Sequence, residues 1–260
     1  MLNVRVVKIG GNELDNPQWV AQCARGVSKI GPAVVVHGGG QAVSAWSRRL
    51  GLPVEQRDGL RVTTPEIVQL VEMVLAGPMN RIIVTALRAA GLDAIGLSGV
   101  DGGLLSAQPL QNGAALGEVG EIVNVRASLL QSLLLAGLTP VVAPVTQSRS
   151  APVRLLNVNA DQAAAAVAAA LGAQELLFVS DIPGVTIEGV TQPTLAAAEI
   201  ETMIEGGVAK GGMAAKLRAA AQALGAGVRA VRIGDLDMFE HATAGTRLLA
   251  APPATAVQPA

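Results

Sequence analysis

The chain has 260 residues, half of them hydrophobic, with nineteen Lys and Arg against twenty Asp and Glu for a formal charge of −1. That length suits one large α/β domain or two small lobes, and with 2% aromatics and no basic run it lacks the charged face and stacking rings of a nucleic-acid surface. The longest uninterrupted apolar run, residues 163–171, is too short for a bilayer span of ~20 residues, and no secretory leader opens the chain.

Residues 4–9 read as a first strand that Gly10-Gly11 ends. Residues 16–30 have helical spacing and contain Cys23, the one cysteine. A single thiol forms no internal disulfide and fits a reducing, cytoplasmic setting; it reads as a small buried hydrophobe. Residues 33–37 form a short continuous apolar run, the pattern of a strand buried on both faces of a parallel sheet. Gly38-Gly39-Gly40 breaks it before a helix over 41–50. Helices are predicted over 65–76 and 79–90, then a strand over 93–97. Residues 104–125 alternate in short pieces with turns, as β-hairpins do. A helix over 127–136 and a strand over 139–143 follow. Residues 159–171 are an alanine-rich helix with Asp161 in its first turn, and 175–180 a buried strand. Helices over 195–205 and 213–224 enclose a glycine-rich joint, residues 206–212. A late strand spans 228–233, an edge strand 245–249, and the Pro/Ala-rich tail 251–260 reads as disordered.

Strands alternating with helices predict an α/β fold, a mostly parallel sheet covered on both faces. Two lobes sharing that sheet are expected, 1–171 and 172–250. Ligands in such sheets bind at the carboxyl ends of the strands, where the glycine clusters fall.

Only four of the nineteen cations are lysines: Lys8, Lys29, Lys210 and Lys216. Arginine is the default, so a lysine kept beside glycines suggests a compact point charge. Lys29 reads as solvated at a helix end. Lys8 precedes Gly10-Gly11, and His37 precedes Gly38-Gly39-Gly40. Each cluster alone could be a tight turn. Two of them, one with a lysine, favour backbone N–H donors aimed at phosphate. No P-loop or dinucleotide fingerprint is present. In Asn157-Val-Asn-Ala-Asp161-Gln162 a helix cap accounts for one polar residue, most easily Asn159, leaving Asn157 and Asp161 for other work. Arg61, in Gly59-Leu-Arg-Val-Thr-Thr64, either grips a carboxylate with its planar fork or lies on a strand's solvent face. Asp181 and Gly184 sit in a turn after a buried strand. Lys216 begins a helix, where the dipole disfavours a cation unless an anion is also present. His37 reads as a structural hydrogen-bonder beside the glycine turn, and His241 as surface.

Taken together, K-x-G-G, H-G-G-G, G-L-R-V-T, N-V-N-A-D-Q, S-D-x-x-G and G-G-M-x-x-K, running from Lys8 to Lys216, resemble the acetylglutamate kinase family of the amino-acid kinase superfamily. The resemblance implies a three-layer αβα sandwich and transfer of the γ-phosphate of ATP, carried with Mg²⁺, to the γ-carboxylate of N-acetyl-L-glutamate in arginine biosynthesis. Lys8, Asp161 and Lys216 would be catalytic, Asp161 holding both lysines. Gly39, Gly40, Arg61 and Asn157 would bind the acceptor. Gly10, Gly11, Asp181, Gly184 and Lys210 would serve phosphate and nucleotide, with no protein metal site and Mg²⁺ on the ATP phosphates. Lys210 departs from the small or neutral residue expected there. Lobe 1–171 would hold the acceptor and a homodimer interface near 65–90, lobe 172–250 the ATP. Two alternatives remain: a kinase for carrier-bound aminoadipate in lysine synthesis, and a non-catalytic ATP sensor. With the first strand starting near Val4, the interlacing N-terminal helix of arginine-inhibited hexamers is not expected, nor is arginine inhibition.

Overall fold

The valine-rich runs form the middle of a sheet because a β-branched residue suits a pleated surface and both faces here are covered. A computed structural model describes residues 3–11, 13–57, 59–110, 114–149 and 151–250; the tail 251–260 lies outside them. The strands are β1 (Arg5–Ile9), β2 (Ala33–His37), the hairpin β3 (Gln56–Arg57) and β4 (Leu60–Arg61), β5 (Asp93–Ser98), β6 (Leu105–Pro109), β7 (Val119–Val125), β8 (Leu138–Ala143), β9 (Val145–Ser148), β10 (Leu155–Val158), β11 (Glu175–Val179), the hairpin β12 (Thr186–Ile187) and β13 (Val190–Thr191), β14 (Thr194–Ala196), β15 (Val231–Gly234) and β16 (Thr246–Leu249). The helices are α1 (Pro17–Lys29), α2 (Gly40–Arg49), α3 (Pro65–Val74), α4 (Asn80–Ala89), α5 (Ala127–Leu135), α6 (Ala160–Leu171), α7 (Ile200–Glu205) and α8 (Gly211–Gly225).

The main sheet has the order β14-β16-β15-β11-β1-β2-β8-β5. It is parallel except where β16 runs against β15. Its strands from residues 1–171 make one half, and those after residue 171 the other. Period-two alternation sends Val6, Val34, Val36, Leu176 and Phe178 to the face covered by α6 and α8. Val7, Ile9, Val35, Leu177 and Val179 go to the face under α1, α3 and α4. The expected αβα sandwich results. Lys8 lies between Val36 and Phe178 in register, so alternation puts it on the α6–α8 face. The alanines of α6 and α8, among them Ala164, Ala168, Ala220 and Ala223, are small enough to let those two helices pack closely. Asn159 caps α6 as expected: its Oδ1 accepts from the N–H groups of Asp161 at 2.8 Å and Gln162 at 3.2 Å.

The expected hairpin over 104–125 is β6–β7, with a register shift at Ser106/Ala107. Two strands not anticipated, β9 and β10, close it into a small barrel of order β10-β7-β6-β9. The predicted helix over 195–205 starts only at Ile200, because Thr194–Ala196 pairs in parallel with β16. The predicted edge strand 245–249 therefore lies one position inside the edge. The helices expected over 65–76 and 79–90 meet at a kinked turn, Leu75–Met79, where Gly77 leaves helical φ/ψ and Pro78 follows. Taken together across the kink, Pro65–Ala89 is long and apolar enough to cross a membrane by length and composition, which a search for unbroken apolar runs misses. Its Ile67, Leu70, Val71, Val74, Ile83 and Leu87 are buried in the domain.

Two helical glycines test how tightly this core is packed. A Cβ at Gly26 in α1 would collide with the ring of Phe239, whereas one at Gly225 in α8 would meet nothing. Gly26→Ala should lower stability by ~1–3 kcal/mol through overpacking despite the better helix propensity. Gly225→Ala should raise it by about 0.5–1 kcal/mol. Urea midpoints measure both, and an unchanged or raised midpoint for Gly26→Ala contradicts this packing.

Candidate active site

Three segments far apart in sequence meet beyond the carboxyl ends of β1, β2 and β11. Lys8 Nζ stands 2.8 Å from Asp161 Oδ1, and Lys216 Nζ stands 3.8 Å from the same oxygen. All three residues are buried. Burial by itself raises the Asp161 pKa, but the two ammonium groups outweigh it and hold the carboxyl below its usual range. Lys216 is pushed down to about 8 by burial and by Lys8, against the pull of Asp161, Glu13 and Asp181. Lys216 also lies 5.5 Å over the Phe178 ring, a cation–π contact.

Around this triad the backbone comes close. A Cβ on Gly11 would fall 2.5 Å from Gly39 N and 2.8 Å from its Cα, so the two glycine loops touch main chain to main chain and only glycine fits. The sheet anchors both loops: Gly10 N donates to Val179 O at 3.1 Å, and Gly38 N to Ile9 O at 3.0 Å. Helix α2 starts at Gly40, so its unpaired N–H groups and dipole face the same space.

Two cavities open here. One, of about 210 Å³, is lined among others by Gly39, Gly40, Arg61 and Asn157. The other, of about 270 Å³, is lined by Gly10, Glu13, Ser180, Asp181 and Lys216. Lys8, Gly11 and Asp161 border both. Arg61 is buried, not solvent-facing. Its Nη2 donates to Gly40 O at 2.8 Å and Ser44 Oγ at 2.7 Å, while Nη1 has no hydrogen-bond partner among the described residues. Burial, then the charge of Arg48, lower its pKa. Asn157 Nδ2 donates to Thr63 Oγ1 at 3.1 Å.

Neither Gly184 nor Lys210 lines these cavities. Gly184 packs under Thr246, whose Oγ1 would lie 2.6 Å from an added Cβ, and Lys210 is exposed at the start of α8. Cys23 is buried, its thiol pushed up to about 12 by desolvation. Lys29 is exposed at the end of α1 and pairs with Glu240, and His241 is exposed.

Two site residues, Glu13 and Ser44, went unnoticed in the sequence, and a third, Ser180, entered only as the first residue of the S-D-x-x-G motif, with no role of its own. Glu13, on a single 3₁₀ turn after Gly11, is buried. Desolvation raises its pKa and Asp181 adds to that, against the lysines and a backbone hydrogen bond. Ser180 Oγ is buried with no partner among the described residues. Ser44 orients Arg61 from one turn beyond Gly40. Ser44 had a signal in its i+4 spacing from Gly40 and Ser180 in its motif; Glu13 had none.

The profile described as Amino acid kinase family matches residues 3–235. An acetylglutamate kinase from Chloroflexus aggregans is 45% identical over 238 residues, 91% of this chain and 93% of that protein. One from Geobacillus kaustophilus is 42% identical over 242 residues, 92% and 93% of the two chains. Among solved structures, smu.665 from Streptococcus mutans UA159 has a TM-score of 0.84 at 27% identity over 95% of this chain and 99% of that one. N-acetylglutamate synthase from Neisseria gonorrhoeae, complexed with coenzyme A and N-acetyl-glutamate, has a TM-score of 0.79 at 23% identity, covering 95% of this chain and 59% of that one, a likeness of fold. The chain belongs to the amino acid kinase family, in which it is similar to acetylglutamate kinases over nine-tenths of its length.

Proposed function

We propose that this chain transfers the γ-phosphoryl group of ATP to the γ-carboxylate of N-acetyl-L-glutamate, as a step of arginine biosynthesis in the cytoplasm. The observation that carries the reading is the pair of cavities that meet at Lys8, Gly11 and Asp161. A kinase needs two sites that converge on one point, and here the point is a buried cation beside glycine N–H groups. The acceptor side offers Arg61, a buried guanidinium whose Nη1 has no partner among the described residues. That suits a substrate with more than one carboxylate, and Asn157, Gly39 and Gly40 complete the acceptor cavity. The donor side offers Lys216, Gly10, Gly11 and a Ser180 hydroxyl with no partner among the described residues, a donor set that fits phosphate. The 40–45% identical relatives named acetylglutamate kinase support the same assignment.

A carboxylate oxygen attacks Pγ, the bond from Pγ to the β,γ-bridging oxygen breaks, and ADP leaves. The acceptor is already ionised, so no general base is required. Lys8 would meet charge on the transferring group from the acceptor side and Lys216 from the ADP side, with Asp161 fixing both ammonium groups between them. Mg²⁺ would arrive on the ATP phosphates and neutralise part of their charge. No cluster of three or more Asp, Glu, His or Cys among the described residues offers it an all-protein cage. Asp181 would lie along the nucleotide path, with Gly184 and Lys210 farther out. In this reading residues 1–171 hold the acceptor and residues 172–250 the nucleotide. A homodimer would form through Pro65–Ala89, where Met73 and Ile82 are exposed.

ADP release measured with and without N-acetyl-L-glutamate tests the assignment, and release that ignores the acceptor rejects it. Lys8→Ala and Lys216→Ala should each lower kcat by ~10²-fold or more with smaller effects on KM; near-normal kcat in both would remove them from the chemistry.

Because the ammonium form of Lys216 is the active one and its pKa is about 8, kcat/KM for ATP should fall as pH rises through that value. The Lys216→Arg variant should retain its charge and lose this alkaline limb. A parent profile still flat well above pH 8 contradicts the role.

Arg61→Lys should mainly raise the KM for N-acetyl-L-glutamate, since an ammonium cannot make the bidentate fork. An equal loss toward ATP would mean that Arg61 serves the fold and not the acceptor.

A further inference from the structure

His37 closes β2, is fully buried, and touches the glycine loop without reaching either cavity. Its ring is held by a chain of hydrogen bonds that starts in the sheet. The carbonyl of Val141 in β8 can only accept, so the Asn80 atom 3.0 Å from it is the amide nitrogen. That nitrogen, Nδ2, also lies 3.2 Å from His37 Nε2. A donor facing Nε2 requires Nε2 to accept, which puts the ring proton on Nδ1. Nδ1 lies 2.8 Å from Gly38 O, an acceptor, so both ring nitrogens and the Asn80 amide nitrogen are matched in one arrangement only, while Asn80 Oδ1 has no hydrogen-bond partner among the described residues. Burial drives the His37 pKa down to about 4, with Lys8 acting in the same direction against the Gly38 bond, so the ring is neutral near pH 7. Lys8 on β1 is the charged group that faces the ring, and Arg81 on α4 lies beside the amide oxygen of Asn80, on the Gly96 side.

The consequence falls on Gly39. In a trans peptide the carbonyl of one residue and the N–H of the next point in opposite directions. Tying Gly38 O to His37 therefore turns the Gly39 N–H away from the ring. Gly39 N is also the atom nearest to an added Cβ on Gly11, so this peptide faces the border of the two cavities. Two further features protect the arrangement. A Cβ on Gly96 would collide with Asn80 Oδ1. The kinked turn Leu75–Met79 packs Leu75 and Met79 beside Gly39 and hands the chain directly to Asn80. Gly77, at φ −94° and ψ −113°, leaves the helical range two residues before Met79, so the kink and not a regular helical phase sets how the chain enters Asn80.

We propose that Asn80 is a positioning residue for phosphoryl transfer: by fixing the proton of His37 on Nδ1 it holds Gly38 O, and so keeps the Gly39 N–H aimed at the transferring group. The inference rests on the kinase reading above for its catalytic consequence, but not for its tautomer. With only His37 and His241 in the chain, ring ¹⁵N spectra of the unaltered protein read the tautomer directly. The expected result is a neutral His37 protonated at Nδ1 that does not titrate above pH 5. A ring protonated at Nε2 overturns the proposal, whatever the substrate proves to be. In Asn80→Asp the carboxylate demands a proton on Nε2. Nδ1 then donates to Gly38 only while the ring is a cation, so kcat should fall as pH rises through a new, higher His37 pKa. Asn80→Ala, which has no charge to add, should lower kcat about tenfold with the ATP KM within twofold, and without that new pH dependence. A folded Asn80→Asp or Asn80→Ala with the kcat and pH profile of the parent also overturns it. If the parent lacks acetylglutamate kinase activity yet shows the Nδ1 tautomer, the functional reading fails and the hydrogen-bond chain stands.

Discussion

Two ammonium groups share one buried carboxylate, and most of the architecture exists to hold them there. Lys8 and Lys216 converge on Asp161 Oδ1 at 2.8 and 3.8 Å, two buried cations on one carboxylate, with Glu13 and Asp181 farther round the donor-side cavity. Burying ions costs several kcal/mol each, and a single carboxylate cannot repay that for two cations. Burial first, and Lys8 second, depress the pKa of Lys216 against the pull of the nearby carboxylates. A site with two cations on one carboxylate is complementary to a transferring phosphoryl group, and it needs no rearrangement when charge develops. Holding it requires β1, α6 and α8 on the same side of one sheet. The parallel register of β1 with β11, and the close packing of alanine-faced helices, provide that.

Two buried arginines show how the fold distinguishes structure from recognition. Arg232 donates Nε to Glu175 Oε1 at 2.7 Å, and its remaining nitrogens to the carbonyls of Met238, His241 and Ala244. It has a counter-ion and ties the loop after β15 to the sheet. Arg61 is equally buried but, among the described residues, pairs with no carboxylate, has two neutral acceptors on Nη2, and finds no partner for Nη1. A desolvated guanidinium without a counter-ion is unstable unless an anion visits. The glycine loops add neutral donors, so the acceptor side gains attraction for anions without another buried charge. The same economy appears in His37, which is kept neutral and used as a rigid strut between the sheet and the glycine turn.

Much of this could be read along the chain. Continuous apolar runs ending in glycines identify β1 and β2, because buried parallel strands carry no polar face and the phosphate turns need bare backbone. Asn159 announces the start of α6, because its side chain caps the helix within its own turn. The spacing of Lys8, Arg61, Asn157, Asp161 and Lys216 among glycines marks the kinase motifs, and these five border the two cavities. All of these signals are local, carried by residues within a few positions of one another.

Only the tertiary structure decided the rest. The strands β9, β10 and β14 have four residues or fewer and exist through partners remote in sequence. The same pairing converts the start of a predicted helix into a sheet edge and moves β16 inward. The kink at Gly77 between α3 and α4 falls where Leu75 and Met79 pack beside Gly39, a contact with a segment far back in the chain. The burial of Glu13 and the isolation of Arg61 Nη1 arise from side chains brought in by other segments. So does the distance of Gly184 and Lys210 from the cavities. Periodicity and propensity act over one or two turns, whereas strand pairing, desolvation and charge balance depend on which distant segments the closed fold places side by side.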